Sequence, residues 1–146
     1  MDTRTTVLYV DDNPRSSRLL AGILDQCGFR VTAKTDPTEA LALCRRASFD
    51  IALIDYEMPT MDGARLAREI KSFIPDLPIV LISARSTLPP GAADFVDAHF
   101  GFGASLDDLL WSMRILATPK VVVRERAEPH FPHPMPAMDA RWWDST

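Results

Sequence analysis

The sequence predicts an α/β domain built on a doubly wound parallel sheet. Three observations carry this reading. Short apolar runs recur along the chain, and the first and third end on aspartate. They are near-continuously apolar, as strands covered on both faces are. Between them lie segments with apolar residues at helical spacing, and strand–helix alternation is the signature of a parallel sheet with helices on both faces.

The elements follow in order. TVLYV (6–10) is the first strand, and Asp11-Asp12 follow it. Asn13-Pro14 offers an N-cap and a proline for the first helical turn. Leu19, Leu20, Ile23, Leu24 and Cys27 then fall at helical spacing, and Gly28 stops the helix. Residues 29–33 read as a second strand. Asp36-Pro37-Thr38-Glu39 has capping-box spacing ahead of a helix with Ala40, Leu43, Cys44 and Ala47 on its apolar stripe. Residues 49–55 form the third strand, ending on Asp55. A loop to Asp62 leads to a helix bearing Leu66, Ala67, Ile70, Phe73 and Ile74, closed by Pro75. Residues 78–83 and 98–101 are the fourth and fifth strands. Ser105 caps a last helix with Leu106, Leu109, Leu110 and Met113 inward. The stretch ARSTLPPGAADFVD between the last two strands holds two prolines and a glycine, so a fourth helix there is short or irregular.

Composition bounds the function. A chain of 146 residues, 47% hydrophobic and 25% charged, suits one soluble domain with a real core. A net charge of −4 gives no basic footprint for direct nucleic-acid binding. No apolar run approaches membrane-spanning length, and MDTRTT carries no signal-peptide core, so a cytoplasmic location is expected. Cys27 and Cys44 read as buried thiols in a reducing compartment rather than a disulfide. After Ala117 the composition changes: five prolines, two histidines and a Trp-Trp pair crowd the tail. The expected division is a domain at 1–117 and a Pro-rich tail at 118–146, with a short strand at 121–123 as one option. Trp142 and Trp143 are candidates to dock on the domain or on a partner. His130 and His133 are too few to argue for metal.

The chemistry lies in the acids. Parallel strands end on one rim, so Asp11, Asp12, Asp55 and Ser83 are expected to converge there, beside the point where strand order reverses. Carboxylates that close repel one another, and a divalent cation relieves them. Oxygen donors without histidine or cysteine suit Mg²⁺. A carboxylate beside such an ion can act as a nucleophile toward a phosphoryl group. Strand-end aspartates can also merely cap helices, which suits Asp12 taken alone.

LYVDDNPRSSRLL, ALIDYEMPTMDG and IVLISA, in this order and spacing, resemble the receiver domain of two-component response regulators. The resemblance covers about residues 5–117. It implies a flavodoxin-like five-stranded sheet of order 2-1-3-4-5. It implies Asp55 as phosphoacceptor, with Mg²⁺ held by Asp11, Asp12, Asp55 and the backbone carbonyl of Glu57. It implies Ser83 as the hydroxyl that contacts the phosphoryl group. Pro59 and Gly63 fit the family's loop, as residues that stiffen the turn and free the backbone at the start of the third helix. Arg85, two residues past Ser83, is placed either to reach a bound phosphate or to lie solvated.

One stretch departs from the family. DAHFGFGAS ends the fifth strand where receivers carry a lysine, and that position is Phe102, or Gly101 if the register shifts by one. Lys34, Lys71 and Lys120 are elsewhere. His99 stands where the family often has a switching aromatic. Loss of the cation should impair the conformational response more than phosphotransfer itself. The short segment 84–97 alters the same face. Trp111 and Ile115, four apart on the last helix, are set for a partner, for cover by the tail, or for the core.

The leading expectation is a stand-alone receiver in a phosphorelay. It takes phosphate from a sensor histidine kinase or phosphotransfer protein and acts on an unknown downstream protein, with homodimerisation a further option. It is not an enzyme beyond phosphotransfer to Asp55 and its hydrolysis. The alternative is a pseudo-receiver that binds or oligomerises without phosphorylation, favoured by Phe102. A Mg²⁺-dependent phosphohydrolase is more remote: Glu57 has the spacing of its second acid, but the cap and downstream lysine are missing.

Overall fold

The structure, a computed structural model, describes residues 2–101 and 103–118. Phe102, the proposed strand at 121–123, and the expectations for His130, His133, Trp142 and Trp143 lie outside the described residues.

Nine elements follow in order: β1 (Thr5–Val10), α1 (Pro14–Gln26), β2 (Phe29–Lys34), α2 (Pro37–Cys44), β3 (Ile51–Asp55), α3 (Gly63–Phe73), β4 (Ile79–Ile82), β5 (Ala98–Phe100) and α4 (Leu106–Ala117). The strands form one sheet of order β2-β1-β3-β4-β5, parallel at every pairing. This is the flavodoxin-like topology the sequence predicts.

Side-chain alternation along each strand divides the core in two. Leu8 and Val10, Ala52 and Ile54, and Ile79 and Leu81 pack with Ala40 and Cys44 of α2 and with Leu66, Ala67 and Ile70 of α3. Val7 and Tyr9, Ile51 and Leu53, and Val80 pack with Leu24 of α1 and with Leu109 and Met113 of α4. Both faces are therefore covered, which is why the strands read as unbroken apolar runs.

The helix starts follow the local chemistry. Asn13 Oδ1 accepts from the backbone amides of Arg15 (3.0 Å) and Ser16 (3.3 Å), with Pro14 just inside the helix. Asp36 accepts from Thr38, Asp62 from Arg65 and Ser105 from Asp108. At the end of α1, Gly28 takes a φ of 95°, which glycine adopts without steric cost.

Two details differ from the sequence reading. Leu19 is 68% exposed, whereas Ser17 of the same helix is buried. Leu106, expected inward, is 41% exposed because it opens α4 at the rim. The segment between β4 and β5 is irregular, as its prolines and glycine lead one to expect, and forms turns in place of a helix. Residues 90–95 are successive turns, with three-residue bonds from Ala92 to Pro89, Asp94 to Gly91 and Val96 to Ala93. Pro89 and Pro90 lack amide donors, and Gly91 at φ 83° breaks the helical path. Leu88 and Val96 still pack against the α2–α3 side of the core. Trp111 and Ile115 are each 52% exposed on the outer face of α4. Cys27 and Cys44 are free thiols, and burial pushes the Cys44 thiol up to about 11.

Asp97 anchors the sheet opposite the acidic rim. Its amide donates to the Ile79 carbonyl (2.8 Å), and its carboxylate accepts from the Ile79 amide (2.8 Å) and from Lys71 Nζ (2.9 Å). Asp97→Ala leaves the amide of the fully buried Ile79 without this acceptor and is expected to cost about 1–3 kcal/mol in urea denaturation. Lys71→Met removes a more exposed pairing and should cost less than about 1 kcal/mol. The reverse order would refute this role for Asp97.

Candidate functional site

Parallel strands deliver Asp11, Asp12, Asp55 and Ser83 to the same rim. Asp11 directly follows β1, and its amide donates to the Lys34 carbonyl at the end of β2 (3.1 Å). Its side chain is 6% exposed and anchored at both oxygens: Tyr9 Oη donates to Oδ2 (2.7 Å) and the Asn13 amide to Oδ1 (3.0 Å). Burial and the bond to Asp11 push the Tyr9 hydroxyl well above the usual phenol range, so it stays a donor. Asp12 is half-buried beside Asp11.

Asp55 ends β3, where the Tyr56 amide donates to the Ile82 carbonyl (2.8 Å) and fixes β3 against β4. One oxygen from each of Asp11, Asp12 and Asp55 lies within 4.8 Å of the others. The electrostatic cost falls on Asp55. Its carboxyl is pushed up to about 7, first by burial and then by Asp11, with Glu57 and Asp12 adding, while the Glu57 amide (3.4 Å) partly offsets them. A cluster of this kind fits a hard divalent cation: all donors are oxygen, and a bound cation would relieve the repulsion that disfavours the ionised form of Asp55.

Across the rim, Ser83 Oγ donates to Glu57 Oε1 (2.7 Å) and accepts from the Arg85 amide (3.0 Å). The Ala84 amide donates to Glu57 Oε2 (3.3 Å), and Arg85 Nε lies 3.5 Å from Glu57 Oε1. Burial alone would raise the Glu57 carboxyl, but the bonds from Ser83 and Ala84 outweigh it and hold it below the ordinary range. Arg85, expected either to reach phosphate or to lie solvated, is a rim residue paired with Glu57, with its guanidinium 5.8 Å from the Tyr56 ring centre.

The backbone is crowded beneath these groups. The Gly63 amide donates to the Tyr56 carbonyl (2.9 Å). A Cβ at Gly63 would run into the Asp55 carbonyl and come within 2.9 Å of Tyr56 Cα. Gly63 is thus required for close approach and not, as the sequence reading has it, for backbone freedom. At Gly101 a Cβ would come within 2.7 Å of the Arg85 carbonyl. His99 pairs in register with Leu81, away from the acids. Its Nε2 is buried with no hydrogen-bond partner among the described residues, and burial holds the ring below its usual pKa.

The structure therefore brings together Asp11, Asp12 and Asp55, and separately Glu57, Ser83 and Arg85. Tyr9 was missed as a site residue. Its signal was a hydroxyl-bearing ring two residues before Asp11, on the same strand face.

The profile described as the response regulator receiver domain matches residues 7–100. The chain belongs to the response regulator receiver family. This receiver is 33% identical over 97 residues to the transcriptional regulatory protein ZraR of Klebsiella oxytoca, a match covering 62% of this chain and 22% of that protein. It is 31% identical over 144 residues to the transcriptional regulatory protein CseB of Streptomyces avermitilis, covering 96% of this chain and 58% of that one. The receiver thus spans less than two thirds of the length of either relative. Among solved structures it resembles the response regulator TrrA of Thermotoga maritima, determined in complex with Mg²⁺-BeF. The TM-score is 0.72 and the identity 26%, covering 77% of this chain and 98% of that one. Receivers are signalling modules that bind Mg²⁺ at an acidic pocket, and a cluster of three aspartates, Asp11, Asp12 and Asp55, is present in this one. No helix among the described residues is long and apolar enough to cross a membrane.

Proposed function

We propose that the receiver accepts a phosphoryl group on Asp55 in a two-component phosphorelay and passes the signal on by protein–protein contact. The observation that carries this is the convergence of Asp11, Asp12 and Asp55 within 4.8 Å, with the raised pKa on the strand-end carboxylate. Asp11, Asp12 and Asp55, with the backbone carbonyl of Glu57, are the groups that would hold Mg²⁺. When bound, the ion neutralises charge on the transferring oxygens. An Asp55 carboxylate oxygen attacks the phosphorus of a phosphohistidine on a sensor kinase or phosphotransfer protein. The new O–P bond forms as the N–P bond breaks, and the imidazole keeps the electron pair and takes a proton from solvent. Ser83 supplies a hydroxyl, and Ala84 an amide, for the phosphoryl oxygens. Water later attacks the phosphorus and restores the carboxylate with release of inorganic phosphate. Residues 1–117 make up this unit, with 118–146 as an extension.

The test is incubation with Mg²⁺ and acetyl phosphate, read by intact mass and peptide mapping. A gain of one phosphoryl group on Asp55 is expected. No gain with that donor or with a phosphorylated kinase would refute the proposal.

The ion also has an energetic signature. Without metal, Asp55 holds its proton up to about pH 7 in the fold but only to 3.8 in the open chain. The folded state thus binds more protons over that window, and stability falls as pH rises from about 4 through about 7. Mg²⁺ favours the ionised cluster, so it should raise the melting temperature more at about pH 8 than at about pH 5. An equal rise at both would count against metal binding at this cluster.

A phosphorylation-independent binding module is the second reading. The turns that replace a helix between β4 and β5, together with Phe102 in place of the family's lysine, favour it. Asp55 labelling that leaves self-association and partner binding unchanged would select it.

A further inference from the structure

We infer that the Glu57 side chain is a built-in stand-in for the phosphoryl group, occupying its hydrogen-bond donors while Asp55 is unmodified. This rests on the reading of Asp55 as the phosphoacceptor. The inference comes from where the donors at the rim already point. Ser83 Oγ gives its one proton to Glu57 Oε1 at 2.7 Å, and the Ala84 amide gives its own to Oε2 at 3.3 Å. Arg85 Nε sits 3.5 Å from the same carboxylate, the one ion pair recorded at this rim among the described residues. A hydroxyl and two cationic or amide N–H groups directed at one carboxylate form an anion site, and Glu57 fills it from two residues beyond Asp55.

A phosphoryl group on Asp55 presents three strong acceptor oxygens and more negative charge than the carboxylate it replaces. Ser83 has a single O–H and Ala84 a single N–H, so neither can serve both anions at full strength. Like-charge repulsion adds to this conflict. Glu57 must then leave, and Arg85 either follows it or passes to the phosphoryl oxygens. An open recess lined by Tyr56, Met58, Pro59, Asp62 and Arg85 borders Glu57 and gives the side chain room to swing out. Glu57 is a positioning residue in this scheme. It acts through Ser83 and Ala84, and the fraction of time it spends out of the donor site scales the apparent affinity for any phosphoryl ligand.

The test uses the chain with saturating Mg²⁺ and beryllofluoride as the phosphoryl mimic. Affinity is read from amide NMR signals in wild type, Glu57→Ala, Glu57→Gln, Ser83→Ala and the Glu57→Ala/Ser83→Ala double variant. In the absence of beryllofluoride, Glu57→Ala should already shift the Ala84 and Arg85 amides. With the mimic, Glu57→Ala should bind about tenfold more tightly than wild type, and Glu57→Gln should lie between. In the Ser83→Ala background that advantage should shrink, because the shared hydroxyl is gone. Equal or weaker binding by Glu57→Ala overturns the inference. So does an undiminished advantage without Ser83, which would mark simple charge removal. If beryllofluoride binds neither wild type nor Glu57→Ala and acetyl phosphate leaves Asp55 unmodified, the phosphoacceptor reading itself fails. Binding by wild type with no Glu57 effect removes the stand-in alone.

Discussion

Asp55→Asn takes up no phosphoryl group from acetyl phosphate under conditions in which wild type gains one. The amide offers no anionic oxygen to attack phosphorus, so the signal should fall to background rather than decline by a modest factor. The same substitution should act on stability in the opposite sense. The wild-type carboxyl, raised to about 7 by burial and by Asp11, loses its proton at a cost to the fold as pH rises. Asparagine carries no charge, so the metal-free variant should melt higher than wild type. The gain should grow from about pH 4 to about pH 7 and then level off, as the sign of the shift requires. Saturating Mg²⁺ should narrow or reverse the order, because wild type then gains a ligand that the variant holds poorly. Thermal melts with and without Mg²⁺ check this. Phosphoryl uptake that survives in Asp55→Asn would move the acceptor elsewhere.

Gly63→Ala should be among the most damaging single-methyl substitutions in the domain. The added carbon meets backbone as well as a side chain: it runs into the Asp55 carbonyl, comes within 2.8 Å of Leu81 Cδ1 and approaches Tyr56 Cα to 2.9 Å. Relief requires moving α3 away from the end of β3, in a core of fully buried Leu66, Ala67, Ile70 and Ile54. Overpacking of this kind costs about 1–3 kcal/mol, and the backbone contact places Gly63 at the upper end. Urea denaturation should show a lower midpoint with an unchanged slope. Gly22→Ala is the internal control. A Cβ there meets nothing within 4 Å on α1, so alanine should be neutral or stabilising by up to about 1 kcal/mol. Gly63→Ala within about 0.5 kcal/mol of wild type would show that the contact relaxes freely.

The sheet was legible in the sequence because strands covered on both faces carry little else than apolar residues, and because Asp11 and Asp55 mark where two of them stop. The convergence of the acids followed from parallel order alone. Leu19 was misplaced because helical spacing identifies a stripe without saying how wide a stripe the neighbouring elements cover. Between β1 and α4, α1 buries Leu24 and Ser17 and leaves Leu19 outside. Tyr9 was read as core, which it is, but its hydroxyl reaches past the core to Asp11, a contact that periodicity does not register. In the sequence Glu57 enters only through its backbone carbonyl and as an acid two residues past Asp55. Its engagement with Ser83, Ala84 and Arg85 depends on the spacing between β3 and β4, and hydrogen bonds between residues 26 and 27 positions apart leave no local pattern. Gly63 was noticed for the wrong reason: a close approach of backbones is invisible until both chains are in place.

Gly101 gives the rim a mechanical property. With no side chain at that position, the end of β5 rests directly against the Arg85 carbonyl, backbone on backbone. A side-chain contact absorbs small displacements by changing rotamer. A main-chain contact has no such slack, so a movement of the loop at Ser83–Arg85 is handed to the end of β5 as a rigid push or pull. The same wall leaves no volume at 101 for any larger residue. Of the two positions at which the family's lysine could be aligned, 101 cannot carry a side chain without parting that seam.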